Sequence, residues 1–375
     1  MTTASGKKPT LPHRTRGAQL PQQTSPAGVS DLFSYANRRG VIQRILGADA
    51  DFGVLLVIAR FRIADLLAEG PRTVEDLAAQ CGVDAAKLGR ILRVAVKLKL
   101  LDHASQPDSF VLTEEGRQLC SDVPGSLLWA VLVTASQPWR EAITSLPHVL
   151  QGGEPETTLY EQLDADPVLG QHFQRFMTAR SYAAGQLLAQ RDCSHVGTVI
   201  DIGGGHGTLL SALLRQHPHL SGVLLERPSV AIEARKHLAD LGGRCEVVEG
   251  DFFTAVPAPG EGDGITVYVL GSVLHNWDDV HAIWILSTIR DAIRASGRQA
   301  QLWCVDMLIQ PYLMAPTMAD RLNVRMMANF PAGGQERTFG EYSDLMTAAG
   351  FQLVTREPLD GDTALMVAEA LPAKS

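Results

Sequence analysis

The spacing of apolar residues changes character near residue 196. Ahead of that point they recur three and four apart, the period of helices that bury one face. Beyond it, short β-branched runs alternate with helical stretches, as strands do with the helices that cover them. From Asp31 to about residue 125 the pattern is helical, beginning with Ile42 to Leu46 and the apolar block Val54 to Ile58. Thr73 offers a capping side chain ahead of the acids Glu75 and Asp76, Gly82 stops that helix, and Asp84 caps a second one running to about Leu100. Phe110 to Leu112, with Thr113 to Gly116, completes the outline of a winged helix-turn-helix. Helices continue over 126 to 195, with Trp139, Leu146, Val149 and Leu150 on one apolar spacing and Phe173, Phe176 and Met177 on another.

In the second half, strands are expected at Val199 to Ile202, Gly222 to Leu225, a run ending in Val247 and Val248, Ile265 to Leu270, and Gln301 to Met307. Helices are expected at Thr208 to Gln216, Asp279 to Ala295 and Phe339 to Ala349, with a closing pair of strands at Phe351 to Thr355 and Ala364 to Ala368. The alternation predicts an α/β fold with a doubly wound, mostly parallel sheet over 196 to 375, behind a mainly helical domain over 29 to 195.

The first strand runs into Gly203-Gly204-Gly205-His206-Gly207 and then a helix, which places a glycine turn and a helix N-terminus where open α/β sheets bind nucleotides. A dinucleotide fingerprint needs a third small residue in G-x-G-x-x-G, and Thr208 stands there instead. Acids follow each strand end: Asp201 before the loop, Glu226 placed for ribose hydroxyls, and Asp251 beside Phe252, an acid for an adenine amino group and a ring for its face. Acids without a phosphate-gripping pattern favour a cationic nucleoside, and S-adenosylmethionine fits.

Composition narrows the picture. The 375 residues are 45% hydrophobic, enough for more than one domain, and the net charge of -8 predicts no attraction to nucleic acid or to an anionic membrane. The longest apolar run, near Leu127 to Val133, is far short of a membrane span. Five scattered cysteines, without C-x-x-C pairs, suit a reducing cytoplasm and argue against a zinc site or a disulfide framework. Residues 1 to 28, rich in Thr, Ser, Pro, Gln and Gly, read as a disordered tail. The helix after Asp84 carries Lys87, Arg90, Arg93, Lys97 and Lys99, which a DNA reader would use, but Leu88, Ile91, Leu92, Ala95, Val96 and Leu98 leave it little polar surface. A dimerisation and substrate-lid domain is the better expectation.

Candidate chemistry lies at later strand ends. His275, in Gly271-Ser272-Val273-Leu274-His275-Asn276-Trp277, follows the fourth strand, Asp306 ends the fifth, and Glu336 sits in the loop Gly333 to Thr338. All three belong to the sheet edge where such folds place ligands. Together with the glycine motif, Glu226-Arg227-Pro228, Gly250-Asp251-Phe252-Phe253 and Gly334-Gln335-Glu336-Arg337-Thr338, they resemble the S-adenosylmethionine-dependent O-methyltransferases of the caffeate and hydroxyindole type, over residues 31 to 370.

The resemblance implies a Rossmann-like class I methyltransferase domain, a winged-helix domain that forms a homodimer, and S-adenosylhomocysteine as product. The acceptor it implies is an aromatic small molecule, with bacterial members tailoring natural products. It makes His275 the general base, held by Asp306 and Glu336, with no metal. It assigns Ser181, Gly203, Gly205, Glu226, Asp251, Phe252, Gly271 and Ser272 to the cofactor, and Met177, Met326 and Met327 to the acceptor. Asn276 stands where Asp is usual and Arg227 where Leu is usual. Two rival expectations are a methyltransferase-fold enzyme that hydroxylates or decarboxylates an aromatic polyketide, and a ligand-responsive winged-helix DNA-binding regulator.

Overall fold

Thr73, Gly82 and Asp84 set the helix limits that their types predict. The computed structural model describes residues 29–105, 108–153, 159–330 and 333–372, so the expected tail at 1–28 lies outside the described residues. Thr73 Oγ1 accepts from the Asp76 amide at 3.2 Å and Asp84 Oδ1 from that of Lys87 at 2.8 Å, satisfying first-turn donors. Gly82 ends the first of these helices at φ 66°, a left-handed conformation cheap only for glycine. Strands β1 (Arg72–Thr73), β2 (Leu101–His103) and β3 (Ser109–Leu112) form an antiparallel sheet in the order β1-β3-β2. The β2–β3 hairpin is the wing; β2 has too few residues to show a period. The four cations of helix Ala85–Lys97, with Lys99 beyond it, face solvent, while Leu88, Leu92 and Ala95 are buried.

Up to Asp51 the described chain is a single continuous helical stretch, the start of Val29–Arg60, with Val41, Ile42, Ile45 and Leu46 exposed by 46%, 63%, 68% and 74%. From Phe52 onward the chain forms a second compact unit that holds the winged region and the large sheet.

That sheet contains β4 (Val196–Ile202), β5 (Ser221–Glu226), β6 (Cys245–Glu249), β7 (Ile265–Gly271), β8 (Ala300–Ile309), β10 (Phe351–Asp360) and β11 (Thr363–Ala370). Their order is β10-β11-β8-β7-β4-β5-β6, and the two-residue β9 (Arg337–Thr338) pairs with the end of β8. β4 to β8 are mutually parallel and the closing pair is antiparallel. Both faces are covered, which is why the inner strands read as nearly unbroken apolar runs. Helix Thr208–Gln216 buries Leu210, Leu213 and Leu214 on one face, and Asp279–Ser296 buries Ile285, Leu286 and Ile289 on the other. β4 has β5 on one side and β7 on the other, so strand order reverses at β4 and leaves a crevice at the C-terminal ends. β8 and β10 run past the expected ends, to Ile309 and Asp360, because pairing with β9 and β11 continues the ladders.

Candidate active site

The crevice is floored by the loop after β4. Gly203, Gly205 and Gly207 have φ of 67°, 61° and 75°, which lets three of five successive residues turn left-handed. A Cβ at Gly204 would lie 2.2 Å from Asp201 Oδ2, which excludes a side chain, and at Gly203 the left-handed φ of 67° disfavours one. Glu226 Oε1 accepts from the Gly205 amide at 3.1 Å and Oε2 from that of Arg227 at 2.7 Å. Two amides hold the carboxylate at the crevice. Burial pushes its pKa up, and the same amides oppose the rise.

Asp201 ends β4 fully buried, and neither carboxylate oxygen has a hydrogen-bond partner among the described residues. Burial, with the Glu226 charge adding to it, raises its pKa to about 7. Such an acid favours a cation brought to it. Asp201 lines one recess together with Arg180, Ser181, Gly204, Gly271 and Ser272. Ser272 holds φ 54°, a costly conformation for a non-glycine residue and the kind that gathers at ligand sites. Nearby, Phe253 packs edge-on to Trp277 at 4.8 Å and against Phe252 at 5.0 Å. Asp251 caps its own turn by accepting from the Phe253 amide at 2.9 Å. A buried acid, an apolar ring and an amide-held carboxylate around a glycine-rich loop fit a cationic nucleoside. The cavity of about 670 Å³ at the opposite, N-terminal edge of the strands, lined by Thr198, Ser221 and Arg244, shares none of these residues.

His275 sits in the single 3-10 turn Leu274–Asn276 after β7 and is 4% exposed. Its Nδ1 lies 2.8 Å from Glu336 Oε1 and 3.5 Å from Asp306 Oδ1. With Nδ1 facing carboxylates the ring's proton belongs there, and Nε2 keeps a lone pair. Burial pulls the imidazole pKa down, but Asp306 and Glu336 outweigh it and the net direction is up. Burial likewise raises the Asp306 carboxyl, against the pull of His275. Asp306 reaches the imidazole from β8, opposite Ala364 of β11. Glu336 is placed by its own backbone: its amide donates to Asn323 Oδ1 at 3.0 Å, and the preceding Gln335 amide donates to the His275 carbonyl at 2.8 Å. The adjacent Arg337 turns away to Asp279 at 2.8 Å.

The structure thus brings His275, Asp306 and Glu336 together, and separately gathers Ser181, Gly271 and Ser272 with the glycine loop. The three methionines do not share one environment. Met177 is half-buried against the apolar cluster that holds Trp139 and Phe173, Met326 is 2% exposed and Met327 is 44% exposed. Asn276 donates only weakly to the Ser272 carbonyl at 3.4 Å, a bond an ionised Asp could not donate. Arg180 and Asn323 join the site without a sequence signal. Asp201 had one, an acid at a strand end, though its place in the Ser181 recess follows only from the fold.

A family model described as the O-methyltransferase domain matches residues 148–352, and one described as the O-methyltransferase dimerisation domain matches 45–122. The chain belongs to the O-methyltransferase family. This O-methyltransferase is 35% identical to a phenazine O-methyltransferase of Lysobacter antibioticus, over 85% of the chain and 92% of the relative. It is 33% identical to 2,7-dihydroxy-5-methyl-1-naphthoate 7-O-methyltransferase of Streptomyces carzinostaticus, over 81% and 90%. A methyltransferase of calicheamicin biosynthesis, solved with S-adenosylhomocysteine bound, superposes with a TM-score of 0.77 at 30% identity, over 90% and 98% of the two chains. A relative of different chemistry, aclacinomycin 10-hydroxylase of Streptomyces purpurascens, is 31% identical over 83% of each chain. The O-methyltransferase uses S-adenosylmethionine as its methyl donor.

Proposed function

We propose that the enzyme methylates a phenolic hydroxyl of an aromatic secondary metabolite, with His275 as general base. The observation that carries this reading is the 2.8 Å contact from Glu336 to Nδ1, which leaves Nε2 as the one ring nitrogen able to take a proton. A phenol of pKa ~10 is a poor nucleophile at neutral pH, and an imidazole within hydrogen-bond reach can remove its proton as the oxygen attacks. Glu336 and Asp306 then stabilise the imidazolium so formed. S-adenosylmethionine supplies an electrophilic methyl on a sulfonium. Glu226 would hold its ribose, Asp251 and Phe252 its adenine, and Ser181, with the Asp201 recess, its aminoacyl end. Gly203, Gly205, Gly271 and Ser272 would border it. Alignment of oxygen, methyl and sulfur then provides much of the remaining acceleration. Met177, Met326 and Met327 line the acceptor in this reading, and thioether side chains suit rings of varied shape. The working unit is a homodimer, supported by the matched dimerisation domain, and the five free thiols fit a reducing cytoplasm.

The test is a mass-spectrometric screen of phenols and hydroxylated polycycles for the gain of one methyl. With an acceptor found, His275→Ala is expected to lower turnover by roughly 10²- to 10⁴-fold while S-adenosylhomocysteine binding stays near wild type. Wild-type turnover of the variant on a weakly acidic phenol contradicts the assignment. A second reading is hydroxylation or decarboxylation of an aromatic polyketide on the same fold, of which the hydroxylase relative supports the first. A product that gains oxygen or loses carbon dioxide, with no methyl gain, selects it.

A further inference from the structure

Arg337 is 1% exposed, and its guanidinium is the largest side chain of the fully buried set. A buried cation is costly unless its donors are matched, so where they go is informative. Among the described residues, its four hydrogen bonds all end on one six-residue stretch. Nη1 donates to the Leu274 carbonyl at 3.2 Å, Nη2 to the Trp277 carbonyl at 2.8 Å, and Nε and Nη2 to Asp279 Oδ1 at 3.1 and 2.8 Å. His275 lies inside that stretch.

The turn has little of its own to hold it. It is one 3-10 turn without a side-chain cap, closed by amide bonds of 3.2 Å from Asn276 to Val273 and from Trp277 to Leu274. Its bracing comes from residues 333 to 337. A Cβ on Gly334 would lie 3.2 Å from the Asn276 carbonyl, the Gln335 amide bonds the His275 carbonyl, and Glu336 takes Nδ1. Arg337 completes this seam from β9, which pairs with Leu308 and Ile309, two residues beyond Asp306. The Tyr342 ring lies under the guanidinium at 5.9 Å.

We propose that Arg337 is the positioning residue for His275: it fastens the carbonyls on either side of the imidazole to the strand that follows Glu336, and so fixes where Nδ1 meets its carboxylate. This rests on His275 being the base. Arg337 is buried and its hydrogen bonds end on Leu274, Trp277 and Asp279, so it acts through the turn. Lysine would keep the charge but has no planar fork to reach two carbonyls and a carboxylate together.

The experiment compares Arg337→Lys, Asp279→Asn and His275→Ala on phenols of graded acidity that the wild type methylates. A misplaced base is worth about 10- to 100-fold. Arg337→Lys is expected to lower kcat by that factor on a weakly acidic phenol. The loss should shrink toward nothing on a phenol already ionised at the assay pH, with S-adenosylhomocysteine affinity unchanged. Asp279→Asn, which keeps an Oδ1 acceptor on a side chain 63% exposed, should act in the same direction but less. It carries the test if Arg337→Lys does not fold. Independently of any acceptor, the Nδ1 proton of His275 should give a protected NMR resonance that broadens or exchanges faster in both variants. An unchanged resonance and unchanged kcat in a folded variant overturn the proposal. A loss equal on all phenols, while that of His275→Ala is graded, also overturns it and leaves the base assignment standing. An ungraded loss in His275→Ala itself removes the base assignment, and this inference with it.

Discussion

Glu336 Oε1 approaches His275 Nδ1 at 2.8 Å, whereas Asp306 Oδ1 stays 3.5 Å from the same nitrogen. The first distance is a hydrogen bond and the second acts through charge. Glu336→Gln is therefore expected to lower kcat by roughly 10- to 100-fold, the usual worth of an orienting partner, and Asp306→Asn by less. Single-turnover rates at saturating methyl donor measure both. A larger loss in Asp306→Asn would reverse the two roles.

The pH profile has a definite sign. The His275 pKa lies above its ordinary 6.5 because Asp306 and Glu336 outweigh burial, and a base works only when neutral. So kcat/KM should rise with pH through a midpoint above 6.5, and Asp306→Asn should move that midpoint down. The same shift makes the imidazolium favourable in the fold. Its contribution to stability is fully present below about 6.5 and is lost as pH rises through the folded value. Thermal unfolding at pH 6 and 8, with and without His275→Ala, reads this contribution.

Asp201 also lowers stability as pH rises, but as a cost of its ionised form instead of a lost gain. A carboxyl raised from 3.8 to about 7 costs the ligand-free fold about 4 kcal/mol once ionised, and the loss accrues as pH rises from about 4 to about 7. Asp201→Asn should flatten that slope and raise the ligand-free Tm at pH 8. It should also weaken S-adenosylmethionine binding by about 1.5 to 3 kcal/mol, the usual value of hydrogen bonds to a charged group. Calorimetry and differential scanning on one preparation report both effects. A variant that binds as tightly as wild type would exclude Asp201 from the cationic end of the ligand.

Val41, Ile42, Ile45 and Leu46 stand exposed on the first helix, an apolar stripe of the kind that marks an association surface. Sedimentation should give a dimer at micromolar concentration, and Ile45→Glu combined with Leu46→Glu should shift it toward monomer. A wild-type monomer would contradict the homodimer.

Periodicity carried most of the fold, because inner strands buried on both faces and helices buried on one have distinct spacings. Val199 to Ile202 and Asp279 to Ala295 are examples, and Thr73, Gly82 and Asp84 signalled helix limits through local hydrogen bonds. The strand β2 and the two-residue β9 were not legible, since neither is long enough to show a period. The site was readable wherever an acid or a histidine stands at a strand end, as at Glu226, Asp306 and His275. Arg337 and Asn323 were not. Their roles are set by partners more than ten residues away, and nothing in Asn323-Val324-Arg325 or Glu336-Arg337-Thr338 marks which carbonyl or amide they will meet.

The imidazole's hydrogen-bonding arm is fastened along its length. Glu336 is buried and precedes β9, whose two residues pair with the last two of β8. Its amide is bonded to Asn323, and Arg337 beside it is tied to the His275 turn, so releasing the carboxylate breaks several buried hydrogen bonds. Openings of that kind lie toward the global end of the range of local unfolding free energies. On heating, activity and fold should therefore be lost together, in one transition.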